Sequence, residues 1–201
     1  ATKHSQNNRY IIFYLVNMSN GKLCLISGAT GGIGRCVMER LWHEGYSIVA
    51  LGHTITQVTA LNEWFTNNKR DGQDAFALRL DVRDTDELWR IRTLLDKHLS
   101  LLVVCHGAAP TPGPALCAGD AMREVVETDV YGTYNLCALA GSFMIPQRQG
   151  SIVLLSSLHS SMTYPARVPY SVVKAAIGGL TRALAVEWGP YGIAVNAICP
   201  W

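Results

Sequence analysis

The sequence predicts a three-layer α/β domain built on a doubly wound, mostly parallel sheet. Apolar runs of strand length recur along the chain, and segments of helical period separate them. The runs show little alternation of apolar and polar residues, so each is expected to be buried on both faces, like strands of a parallel sheet covered by helices. Right-handed crossovers between such strands place helices on both sides of the sheet.

The first run, "KLCLIS" at 22–27, leads through the glycine-rich "SGATGGIG" (27–34) into an amphipathic stretch at about 35–44. The second, "SIVAL" at 47–51, ends in "GHT", and helical spacing follows over about 55–68. "AFALRL" at 75–80 runs into "DVRD" and a helical stretch at about 84–98. "LLVVC" at 101–105 is followed by "GAAPTPGPALCAGD", 107–120, the longest breaker-rich loop. Ligands of open α/β sheets sit beyond the carboxyl ends of strands, so this loop is placed to line a site. A long helical stretch, 118–145, precedes "SIVLLS" at 151–156. Pro165 and Pro169 favour an extended approach to a helix running from Tyr170 to Trp188 and ended by Gly189-Pro190, and "IAVNAI" at 193–198 is the sixth run.

Composition bounds the function. With 201 residues, 49% of them hydrophobic, the chain can bury one sizeable core. The 17 basic and 15 acidic residues are spread out and leave a net charge of +2, which gives no basic run for nucleic acid and no acidic tail. The apolar "YIIFYLV" at 10–16 is too short to span a bilayer, which takes about 20 residues. Residues 1–18 are read as a disordered N-terminal tail with Met18 as the natural start, and 19–201 as a single dinucleotide-binding domain. The alternative is a signal-peptide core after Lys3 and Arg9, but no small-residue cleavage site follows it. The six cysteines occur singly, without the spacing of a metal site, and are expected to be reduced, mostly buried thiols of a cytoplasmic protein.

Gly28, Gly32 and Gly34 sit between a strand and a helix, where backbone N–H groups and the helix dipole suit a phosphate-bearing ligand. The spacing G-x-x-x-G-x-G is one residue looser than the common dinucleotide fingerprint. A carboxylate at the end of the second strand would bind a ribose 2′-hydroxyl and repel a 2′-phosphate. Gly52 and His53 stand there instead, so NADP is favoured over NAD, with His53 facing the phosphate. Arg35 is a weaker candidate for the same role, because it fits equally well as a solvated residue of the first helix.

Tyr170 and Lys174, four residues apart, share one helical face. An ammonium beside a phenol stabilises phenolate, which is what a general acid for carbonyl reduction, or a base for alcohol oxidation, requires. The pair alone is weak testimony, since both residue types are common on helices.

"SGATGGIG", "LDVRD", "SIVLLSS" and "YSVVK", in that order and at these separations, resemble the short-chain dehydrogenase/reductase family over about residues 20–200. The resemblance implies a Rossmann fold and an NAD(P)-dependent oxidoreductase acting on a small carbonyl or alcohol, either a ketone reductase resembling 3-oxoacyl-acyl-carrier-protein reductases or a sugar or polyol dehydrogenase. It implies that Tyr170 exchanges the proton, that Lys174 assists it and holds the nicotinamide ribose, and that Ser157, 13 residues before the tyrosine, binds the substrate oxygen. It further implies that Gly28, Gly32, Ile33 and Gly34 surround the pyrophosphate, that Asp81 and Val82 meet the adenine, that Gly107 accommodates a ribose, and that the protein forms a homodimer or homotetramer. Tyr164 is read as a loop or substrate-side residue.

Three departures stand against the pattern. "CHGA" (105–108) replaces the usual N-N-A-G, so Cys105 lacks the amide that commonly ties neighbouring strands. Asp129 stands where an asparagine is usual; it either joins the catalytic set or pairs with Lys174 and weakens its pull on Tyr170. The sequence ends in "NAICPW", where the family usually continues into a last strand and a substrate lid, so the domain is expected to be C-terminally truncated. The second and third departures support an alternative: a non-catalytic nucleotide-binding or interaction protein, or an inactive fragment.

Overall fold

A computed structural model describes residues 22–92, 95, 98–108 and 120–201. Six strands form one sheet: β1 (Leu23–Ser27), β2 (Ser47–Gly52), β3 (Ala75–Arg79), β4 (Leu101–Val104), β5 (Gly150–Leu155) and β6 (Ile193–Ile198). Their order is β3-β2-β1-β4-β5-β6 and every pairing is parallel. The direction of winding reverses between β1 and β4, which opens a crevice beyond their carboxyl ends.

Alternate residues of each buried strand feed two different cores. Leu23 and Leu25 of β1 and Val49 and Leu51 of β2 pack with α3 (Thr85–Arg92), α5 (Gly132–Gln147) and α6 (Val168–Trp188). Cys24, Ile26, Ile48 and Ala50 pack on the opposite face with α1 (Gly32–His43) and α2 (Ile55–Asn67), where Met38, Trp42 and Leu61 are fully enclosed. Each of the buried Leu, Ile, Val and Met side chains among them contributes about 1.5–3 kcal/mol by leaving water. The central strands therefore read as unbroken apolar runs. At the β6 end the expectation of burial on both faces fails: Ala194, Asn196 and Ile198 face solvent, while Ile193 and Val195 face the core.

The elements depart from the expected boundaries at points that matter for the site. Pro169 does not precede the last long helix but lies in its first turn, where its missing N–H costs nothing. Pro146 is likewise inside α5, whose last residue, Gln147, uses its side-chain amide to donate to the Leu99 carbonyl at 3.1 Å and accept from the Leu99 N–H at 3.2 Å. The long segment expected at 118–145 contains a short α4 (Asp120–Val125) and a π-helical turn, Val126–Tyr131, before α5. Part of the expected helix tail after Arg92 and the loop residues 109–119, Cys117 among them, lie outside the described residues, as do residues 1–21. Cys24 and Cys137 are buried as expected, whereas Cys36 and Cys199 are exposed. Among the described residues no helix is long and apolar enough to cross a membrane.

Candidate active site

The chain leaves β1 at Ser27 and turns through Gly28 at φ +69°. A Cβ at Gly28 would stand 2.5 Å from the His106 backbone nitrogen, and one at Gly34 would overlap the Gly28 carbonyl. Both glycines therefore serve the close approach of turn, helix and the loop after β4. Gly32 differs, because a Cβ there would meet nothing within 4 Å. Gly31, the N-cap of α1, provides no side-chain cap, and no acidic residue stands in the first turn. The start of α2 is closed by its own capping box: Thr54 Oγ1 accepts from the Gln57 N–H and Gln57 Oε1 from the Thr54 N–H, both at 3.3 Å. Of these two helix starts, only that of α1 is left for an anion.

This turn borders a cleft of about 390 Å³ over the ends of β1, β2 and β4. Gly28, His53, Asp81, Val82 and Gly107 line it, as do Thr30, Gly31, Arg83 and Thr128, which sequence reasoning did not single out. At one end the Asp81 carboxylate receives Arg83 Nη2 at 2.6 Å and Nε at 2.9 Å. That hydrogen bonding holds the Asp81 carboxyl at about 2. Arg35 does not line the cleft: its Nε pairs with Glu39 at 2.5 Å and its guanidinium lies 4.8 Å from the Trp64 ring. Ile33 is half exposed on the first turn of α1.

The tie that Cys105 cannot make is made by its neighbour. Ser27 Oγ lies 2.7 Å from His106 Nδ1, and His106 Nε2 lies 3.0 Å from the Thr128 carbonyl oxygen. A carbonyl only accepts, so Nε2 carries the hydrogen and Nδ1 receives that of Ser27. Burial is the main cause that holds His106 below the usual imidazole range; the Thr128 carbonyl and Asp129 oppose it, and Lys174 adds to it. Burial also pushes the Cys105 thiol up to about 11. A histidine directly after a buried strand was the available signal for this bridge.

Beyond Gly107 the cleft meets a second group of residues. Lys174, 5% exposed, donates to the Leu155 carbonyl at 3.3 Å, and its Nζ lies 5.6 Å from the Tyr170 ring centroid. Ser156 Oγ donates to the Lys174 carbonyl at 2.8 Å, which fixes α6 against the end of β5. Ser157 Oγ accepts from the His159 N–H at 3.2 Å, and the His159 ring stands edge-on to both Tyr170 and Tyr164 at 5.3 Å. Where β5 leads toward α6, His159 thus links Ser157 to the Tyr170 ring, and Lys174 reaches that ring from the same helix.

Asp129 reaches the same point from the π-helical turn and is 1% exposed. Its Oδ1 accepts from the Ala108 N–H at 2.7 Å and its Oδ2 lies 3.1 Å from Lys174 Nζ. The ion pair is not aligned as a hydrogen bond, and Oδ2 has no hydrogen-bond partner among the described residues. A Cβ on Gly107 would lie 3.1 Å from Oδ2 and 3.2 Å from Nζ, so any bulk there would strike both charges.

These residues fit a dinucleotide. The uncapped start of α1 and the open face at Gly32 suit a pyrophosphate, the Asp81–Arg83 end suits a base and ribose, and the side-chain-free Gly107 leaves room for the other ribose beside Lys174.

Comparison with known proteins gives the family and the fold. The family model for short chain dehydrogenase matches residues 22–201. A 3-oxoacyl-acyl-carrier-protein reductase from Staphylococcus aureus is 32% identical over 91% of this chain and 75% of its own length. A sorbose reductase from Candida albicans is 28% identical over 90% of this chain and 66% of its own length. Among solved structures, a 3-ketoacyl-ACP reductase from Sinorhizobium meliloti superposes with a TM-score of 0.81 at 29% identity, covering 89% of this chain and 71% of that one. An NAD+-bound xylitol dehydrogenase gives 0.81 at 27% identity, covering 90% and 70%.

Proposed function

The chain belongs to the short-chain dehydrogenases and is an NAD(P)-dependent oxidoreductase, and on that premise we propose that it moves a hydride between NADP(H) and a carbonyl or alcohol carbon, with Tyr170 exchanging the proton. The observation that carries this reading is the junction at which Lys174, anchored to Leu155, reaches the Tyr170 ring, whose edge-on neighbour His159 donates its backbone N–H to Ser157. A bound nicotinamide supplies or accepts the hydride. In reduction, Tyr170 gives its phenolic proton to the substrate oxygen as the hydride reaches carbon, and water returns a proton to the phenolate; oxidation runs the same steps backwards. Ser157 Oγ already accepts from the His159 N–H, so its own hydrogen is left for the substrate oxygen. Lys174 holds the charge that develops on Tyr170 and binds the nicotinamide ribose.

The preference for NADP draws on the end of β2, where Gly52 and His53 replace a carboxylate. The substrate class we assign is a ketone or 3-oxoacyl thioester, with sugars and polyols as the second class, in line with the relatives named above. We place the enzyme in the cytoplasm as a homodimer or homotetramer joined through α5 and α6, which carry the exposed side chains Tyr134, Val172 and Val186. The test is consumption of NADPH and of NADH by purified protein against ketones, 3-oxoacyl thioesters and sugars. Turnover with one of these and a higher kcat/KM for NADPH are expected.

A second reading, a nucleotide-binding protein without turnover, draws on Asp129, which occupies Lys174 in the structure. It predicts thermal stabilisation by NADPH with no oxidation of it by any carbonyl.

A further inference from the structure

Asp129 alters the charge of the site as well as its hydrogen bonding. The Asp129 carboxylate and Lys174 ammonium are buried together 3.1 Å apart, so the pair brings no net charge to the end of the cleft at Gly107. An amide at 129 would leave the ammonium uncompensated. Among the described residues that line the cleft, the other ionisable groups do not change this balance: burial holds the His106 pKa down and the Cys105 thiol protonated, while His53, Glu124 and Arg83, which pairs with Asp81, are exposed to solvent and screened. Whatever lies on the Gly107 backbone is within reach of both charges, and Oδ2, without a hydrogen-bond partner among the described residues, keeps its accepting capacity on that side.

Nicotinamide is cationic when oxidised and neutral when reduced. An isolated buried ammonium at this point repels the oxidised ring, and a carboxylate in contact with that ammonium cancels the repulsion. We propose that Asp129 sets the redox preference of the cofactor site, favouring the oxidised, cationic nicotinamide over the reduced one and so the enzyme form that takes hydride from an alcohol. This rests on the reading of the cleft as a nicotinamide dinucleotide site.

The test is equilibrium binding of NADP+ and NADPH, and of NAD+ and NADH, to the full chain, followed by quenching of its tryptophan fluorescence. Asp129→Asn keeps an oxygen for the Ala108 N–H and removes only the charge. The ratio of Kd for the oxidised form to Kd for the reduced form is expected to rise about tenfold, the size of one uncompensated charge several ångströms away in a partly buried site. Lys174→Met leaves the carboxylate alone and moves the ratio the opposite way, so the inference is still decided if Asp129→Asn does not fold. A purely structural role for Asp129 weakens both forms equally. Ratios within twofold of wild type in the folded variants overturn the inference while leaving the site assignment intact. Failure of wild type to bind either form overturns the site assignment, and the inference with it.

Discussion

Ser27 Oγ donates to His106 Nδ1 at 2.7 Å, and through that bond the end of β1 holds the loop after β4. The two residues are 79 apart in sequence, yet the β1–β4 pairing brings them side by side at the floor of the cleft. The ring they share with the Thr128 carbonyl is neutral, which makes the fold sensitive to acid.

Burial lowers the pKa of His106 in the folded chain, whereas in the unfolded chain it titrates near about 6.5. Below that pH the unfolded state binds a proton that the folded state resists, so this contribution to stability is full above about 6.5 and is lost as pH falls. His106→Asn, which can accept from Ser27 and donate to Thr128, removes it. Urea unfolding at neutral and mildly acidic pH should show wild type losing stability faster than the variant, by about 1.4 kcal/mol for each unit of depression. A difference between the two that does not change with pH would contradict the assignment.

Gly34 and Gly32 separate structural from ligand-facing glycines. Gly34→Ala drives a methyl group into the Gly28 carbonyl and is expected to cost about 2–4 kcal/mol, with loss of cofactor binding. Gly32→Ala meets open space at a helix start and should fold at least as stably as wild type. Weaker NADP binding by that stable variant, measured by calorimetry, would place the pyrophosphate against the first turn of α1; unchanged binding would remove it from there.

Tyr170→Phe removes one hydroxyl and keeps the ring that stands against His159. Turnover should fall by at least about a hundredfold, with the melting temperature and NADPH affinity near those of wild type. Activity comparable to wild type on any substrate would eliminate Tyr170 as the proton donor.

Ala166 sits at φ +63° in the segment between Ser157 and Tyr170. A left-handed conformation costs an alanine about 1–2 kcal/mol, part of which glycine gives back through the flexibility of the unfolded chain. Ala166→Gly should therefore raise stability by about 0.5–1 kcal/mol in thermal or urea unfolding. Arg148, at φ +53°, is the control. Its guanidinium donates to the Pro190 carbonyl at 2.8 Å and lies 5.7 Å from the Tyr191 ring, so Arg148→Gly loses contacts that offset the relief and gains less.

The central strands were legible because burial on both faces writes itself as unbroken apolar runs; β6, buried on one face only, was found from its apolar residues alone, and all six strands appear within a residue or so of the expected bounds. The pairing of Asp129 with Lys174 was open as one of two alternatives from residue type alone. The bridge made by His106 left only one trace, a histidine directly after a buried strand; its partners were not legible, because they depend on which strands are neighbours and on a contact between distant residues. The inward placement of Pro169 was missed for a local reason: proline reads as a helix boundary, while the first turn tolerates it. The fate of Arg35 depended on Trp64 and Glu39 competing for its guanidinium, a matter of side-chain packing that spacing does not show.

A π-helical turn holds one residue more than the α-helical turn it stands in for. Between Val126 and Tyr131 that extra residue sets the angle at which Asp129 leaves the helix axis. The row Leu136, Leu139, Ala140 and Phe143 anchors α5 to the sheet, so removal of Val130, which lies between Asp129 and α5, would be absorbed upstream of it. Asp129 would swing by about 100° and take its carboxylate away from both Lys174 and Ala108. The charge balance at the Gly107 end of the cleft is thus held by helical register: the loss of Val130, with no change of residue type at any site position, is enough to turn a neutral pair into a lone cation.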